Sequence, residues 1–177
     1  KRAKEIAPHS FPINRDHGHI LFLARQYDEA IAQLRSTIAA EPKNPSVREA
    51  YAWIRNSYDQ KGDLQSALNE FKNIGTPVEQ IAEIQQAFAQ RGANGYWQKR
   101  LELRLKNTPA TSPDGRILRV FAYAAAGEIE PAMKLLDQSI SEDHHDGTIY
   151  LKVDPRFDNL RAHPRFPEML KRLNLQN

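Results

Sequence analysis

The chain has 177 residues, 40% apolar and 27% charged, with 25 Lys and Arg against 22 Asp and Glu and no cysteine. That composition supports a buried core in one domain or a short solenoid. It excludes disulfides and thiolate metal sites, a formal charge of +3 without a long single-sign block nominates neither nucleic acid nor a membrane surface, and no apolar run approaches the ~18 residues of a spanning helix.

Residues 1–8, Lys-Arg-Ala-Lys-Glu-Ile-Ala-Pro, read as the end of a helix. Pro8 and Pro42 each follow a helical segment, where proline stops the hydrogen-bond ladder. The chain opens on Lys1 without a Met, and the expectation is a chain that begins inside a repeat of something longer.

The first full helix is predicted over 12–24, and its partner over 27–40 carries Ile31, Leu34 and Ile38 on one face. Tyr51, Ile54 and Tyr58 stripe a third helix over 46–61, which Gly62 ends. Asp63 is the expected N-cap of the next, over 64–74, whose apolar side is Leu64, Ala67, Leu68 and Phe71. Thr76-Pro77 opens another pair, Val78 to Arg91 and about Asn94 to Lys106. Ile81, Ile84 and Phe88 mark its first helix, and Trp97, Leu101 and Leu105 its second. After the loop 108–113, helices over 114–126 and 128–142 meet at Gly127. The tail repeats Asp154-Pro-Arg-Phe157 as His163-Pro-Arg-Phe166, each proline suited to the first residue of a short helix. Residues 147–153 are expected to be a short helix or an extended linker.

Four inter-helix turns thus begin at Arg25, Gly62, Gly92 and Gly127. Their spacing averages about 34 residues, the period of a helix–turn–helix array. The turn at Gly92 is the weakest in sequence, and altered packing is expected between residues 75 and 113.

These features resemble the tetratricopeptide repeat family. The residues that carry the likeness are Gly18, Leu21, Tyr27, Ala30, Leu34 and Pro42; then Ile54, Tyr58, Gly62, Ala67 and Phe71; then Tyr123, Gly127, Ile129, Ala132 and Leu136. The resemblance implies an all-α fold, a right-handed superhelix of antiparallel helix pairs. The array would span 1–146: a truncated repeat 1–8 and pairs at about 12–41, 46–74, 77–106 and 113–142. A helical capping segment, 147–177, would cover the last core layer. Arg55 departs from the pattern, standing where the family prefers a small residue. Looser packing or a guanidinium that reaches out to water is expected there. The tail, Tyr150 to Arg161 followed by His163 to Phe166, is similar to the C-terminal end of bacterial multidomain transcriptional regulators. This implies the C-terminal part of such a regulator, in the cytoplasm, with a sensing or oligomerising role as the alternative to docking.

No phosphate-binding glycine loop, GxSxG or HExxH is present, so no enzymatic activity and no cofactor are expected. His17 and His19 are two apart, and on a helix they point to nearly opposite sides, which argues against a shared metal. Glu142-Asp143-His144-His145-Asp146 fits a divalent-ion site or a pH sensor in composition, but a solvated loop before Gly147 is the reading adopted. Lys99, Arg100, Arg104 and Lys106 beside Trp97 are interleaved with Leu101, Leu103 and Leu105, which favours a core helix over a nucleic-acid stripe. The resemblance places a partner-binding groove on the first helices of the pairs, at Arg15, His19, Phe22, Glu49, Trp53, Asn56, Glu79, Glu83 and Gln86. The expected partner is a protein or peptide, with no nucleic acid and no membrane. Trp53 is the candidate anchor. Glu79 and Glu83 would repel a carboxylate, so an acidic C-terminal peptide is not the expected ligand.

Overall fold

The computed structural model describes residues 10–109, 111, 113–142 and 147–175. The expected truncated repeat 1–8 lies outside them. The described residues are helical and contain no strand. The helices are α1 (Phe11–Leu23), α2 (Tyr27–Ala40), α3 (Val47–Lys61), α4 (Leu64–Glu70), α5 (Val78–Asn107), α6 (Pro113–Ala125), α7 (Ile129–Ser141) and α8 (Phe166–Arg172), with 3-10 turns at Thr148–Tyr150 and Pro155–Leu160. The chain divides into two compact units, Lys1–Ala82 and Glu83–Asn177.

In the first unit, adjacent helices pair. Gly18 of α1 meets Leu34 of α2 so closely that a Cβ on it would lie 2.5 Å from Leu34 Cγ. Ala30 and Leu34 are fully buried, and Phe11, Ile31, Leu34, Ile38, Ala50 and Ile54 form one core. Each large apolar side chain buried there contributes ~1.5–3 kcal/mol relative to exposure. The close approach follows from the missing side chain at Gly18, as the small-residue pattern predicts.

The recurring turn is one backbone structure used three times. Arg25 has φ 62°, Gly62 φ 75° and Gly127 φ 80°. At each, the next amide donates back to the carbonyl five residues earlier: Gln26 to Leu21, Asp63 to Tyr58 and Glu128 to Tyr123, at 2.9–3.0 Å. The following helix then starts alike, with Ala30 donating to Gln26, Ala67 to Asp63 and Ala132 to Glu128. This satisfies the carbonyls a helix end leaves over and delivers the next helix at a set angle. Asp63 accepts from the Ser66 amide at 3.1 Å and caps α4 as expected. Hydrogen bonding from the Ser66 side chain, and then from its amide, holds the Asp63 carboxyl below its ordinary pKa.

Two predicted boundaries shift. The helix expected over 64–74 ends at Glu70, because Gly75, at φ 79°, lets Thr76 donate to Phe71 and closes the chain a turn early. The third pair shrinks its turn to one residue. α5 breaks only at Gly92, with φ 58° and ψ −144°, a region nearly closed to other residues. There the helix folds back on itself. Phe88 and Tyr96 rings lie 6.0 Å apart, and Lys99 reaches Glu83 at 3.4 Å. A straight helix would separate that last pair by ~24 Å. Gly95 makes the fold-back tight: a Cβ there would collide with the backbone carbonyl of Ala87.

The second unit has its own core of Ile117, Val120 and Ala124 from α6, Ala132, Met133 and Leu136 from α7, then Leu151, Phe157, Leu160, Phe166 and Met169 from the tail. The segment expected as a cap therefore packs directly on the last helix pair. Both tail motifs share a local device. Asp154 Oδ1 accepts from the Arg156 amide at 2.9 Å, and His163 Nδ1 accepts from the Arg165 amide at 3.2 Å. Each sets the proline-led turn that buries Phe157 or Phe166. Residues 147–153 form a 3-10 turn and loop, in keeping with the non-strand reading.

Candidate functional site

The candidate face lies in the first unit, where α1 and α3 lie side by side. Two contacts join them, each between residues 34 apart, three short of the 37 that separate the turns at Arg25 and Gly62. Arg15 Nη1 donates to Glu49 Oε2 at 2.7 Å, 34 residues on. His19 stacks on Trp53, with ring centroids 3.9 Å apart and planes 20° from parallel. Between the second helices Arg35 meets Glu70 at 2.7 Å, and Lys61, at the end of α3, pairs with Asp28 in the first turn of α2.

Trp53 is half-buried and packs between α1 and α3, its ring 5.2 Å from that of Phe22. It is a structural contact and a surface residue together. Phe22 is fully buried, a correction to its place in the groove. It lies where α1 turns toward both α2 and α3, so it supports Trp53 from below and has no surface to offer. Asn56 is corrected in the same way. It is 9% exposed, and its Oδ1 accepts from Arg55 Nη2 at 2.6 Å.

Arg15 is not poised to clamp a partner's carboxylate. Its guanidinium donates to Asp16 as well as Glu49, each at 2.7 Å. Glu79, at the start of α5, is exposed. Glu83 and Gln86 are exposed too but belong to the second unit, where Glu83 accepts from Lys99.

At Arg55 one of the two expected outcomes, a guanidinium in water, does not occur. Only 12% of its side chain is exposed, so it does not reach out to water. Asp59, itself 5% exposed, lies 3.5 Å from its Nε, and its guanidinium sits over the Phe71 ring at 5.5 Å. A buried charge is tolerable when a carboxylate and hydrogen bonds compensate it, and that is what happens here. Sequence reading missed Asp59, although its place one helical turn after Arg55 was the available signal.

The two histidines separate as the helical spacing requires. His17 Nδ1 is 3.0 Å from Gln33 Oε1 on α2, whereas His19 faces Trp53. The basic stretch of α5 is used internally. Arg100 lies over Tyr96 and Trp97 at 4.9 and 4.8 Å, and Lys99 pairs with Glu102 at 2.7 Å. Burial, with Arg100 close by, pushes the Arg104 guanidinium below its usual range. Of the acidic and histidine cluster, Asp143, His144, His145 and Asp146 lie outside the described residues; Glu142 pairs with Arg116 at 2.7 Å. Among the described residues, no helix is long and apolar enough to cross a membrane.

Compared with protein-family profiles, curated proteins and solved structures, the chain matches none of them.

Proposed function

We propose that this chain is a non-catalytic protein-interaction module built as a tetratricopeptide-like array, and that it holds a peptide or partner protein on the α1–α3 face. The observation that carries the reading is the register of that face. Arg15 with Glu49 and His19 with Trp53 stand side by side across the two helices. Two first helices therefore present one continuous surface with a half-buried tryptophan at its middle. Aromatic residues set in a packed surround are the usual energetic anchors of protein interfaces. That the module serves a larger bacterial regulator rests on the resemblance of its tail.

Pull-down from lysate with the parent chain and with Trp53→Ala as paired baits tests the reading. The expected result is a partner held by the parent and lost from the variant, with helical content unchanged by circular dichroism. A partner that binds both baits equally would move the interface away from this face.

A further inference from the structure

The charge on the α1–α3 face narrows the partner, given the reading that this face binds protein. Its cation, Arg15, has 19% of its side chain exposed and is already occupied. Nε and Nη2 donate to Asp16 Oδ1 at 3.0 and 2.7 Å, and Nη1 donates to Glu49 Oε2 at 2.7 Å. Each acid gives Arg15 one oxygen, while 59% of Asp16 and 53% of Glu49 face solvent. The trio is net anionic, and the part of it that water sees is carboxylate. Beside it lies apolar surface. Ile20, one helical turn beyond Asp16 on the same stripe of α1, is 61% exposed. Trp53, under His19, is half-buried on α3.

We propose that the partner is a protein segment presenting a basic side chain next to an apolar one. The basic group meets Asp16 and Glu49, and the apolar group lies on Ile20 and Trp53. A guanidinium or ammonium arriving here finds two carboxylates and one cation already neutralised, whereas an acidic chain terminus finds repulsion. Three of the five N–H donors of Arg15 are already given to these acids.

The test uses the whole chain and two labelled peptides of the same length and pattern, one alternating Arg and Leu, the other Glu and Leu. Binding is followed by fluorescence anisotropy at two salt concentrations. The Arg/Leu peptide is expected to bind, less tightly at high salt. Asp16→Asn with Glu49→Gln should weaken it by about tenfold or more. Glu168→Gln, an exposed acid in the other unit, should not. Urea unfolding of the double variant close to that of the parent separates lost charge from lost fold. Unchanged binding of the Arg/Leu peptide to the double variant overturns the proposal. If instead the Glu/Leu peptide binds and Trp53→Ala abolishes it, the interaction face stands and the charge inference falls. If neither peptide binds, both fall.

Discussion

Gly95→Ala is the sharpest probe of the fold-back in α5. Gly95 is buried inside the helix, and in an ordinary helix alanine would gain ~0.5–1 kcal/mol over glycine. Here the new methyl would collide with the carbonyl oxygen of Ala87, would lie 2.7 Å from the carbon of that carbonyl and would press on Arg91 Cβ at 3.0 Å. The main obstacle is backbone, which cannot rotate away as a flexible side chain does. Overpacking costs ~1–3 kcal/mol, and an immovable neighbour places this site near the top of that range. The net expectation is a loss of ~2 kcal/mol. With a urea slope of ~1–3 kcal/mol/M, the midpoint falls by about 1 M. The chain has two tryptophans, so a Trp53→Phe background leaves Trp97 as the reporter. Trp97 sits against Tyr96 at 4.8 Å, beside the mutated residue. A Gly95→Ala variant as stable as that background, or more so, would refute the fold-back and favour a straight helix through Gly92.

Three further outcomes follow from the same contacts. Arg25→Gly and Gly62→Ala should shift stability in opposite directions by ~1 kcal/mol each, because both positions hold positive φ and only one holds glycine; thermal melts of the two variants check this. Glu70→Ala should destabilise the first unit by ~2 kcal/mol in urea titrations, since Glu70 is 4% exposed and receives Arg35 and Asn73. Asp137→Asn should cost ~1 kcal/mol near neutral pH by removing a carboxylate that holds Arg165 and Arg172 at 2.6 and 2.5 Å. Burial works to raise the Asp137 pKa, but the hydrogen bonds from Arg172 and Arg165 outweigh it and hold the carboxyl below 3.8. Its stabilisation is therefore full above that ordinary value and disappears as pH falls through the lower folded one, so parent and variant urea midpoints should converge in acid.

Much of the helical layout was legible because it depends on local rules. Apolar spacing marks helix faces, and the turns at Gly62 and Gly127 need a residue that accepts positive φ. Even Arg25, an unlikely residue for that role, was recognised from the Tyr27 and Ala30 that follow it. The helix ends at Glu70 and Gly92 were less legible, since each is decided by one hydrogen bond or one backbone angle. The candidate face was half legible. The resemblance nominated Arg15, His19, Glu49 and Trp53, but a sequence pattern does not say how deep a side chain sits. Phe22 and Asn56 share the face's spacing yet are buried by the helices beside them.

The sequence by itself determined an all-helical chain and the identity of its turns. These are properties of spacing and of short-range backbone geometry. Only the tertiary structure decided which charges meet. Arg55 stays inside because Asp59 and Asn56 receive it there, and Arg15 is lost as a clamp because two acids reach it first. Charge pairing depends on distances of a few ångströms between side chains, and a repeat period fixes only which helices are neighbours.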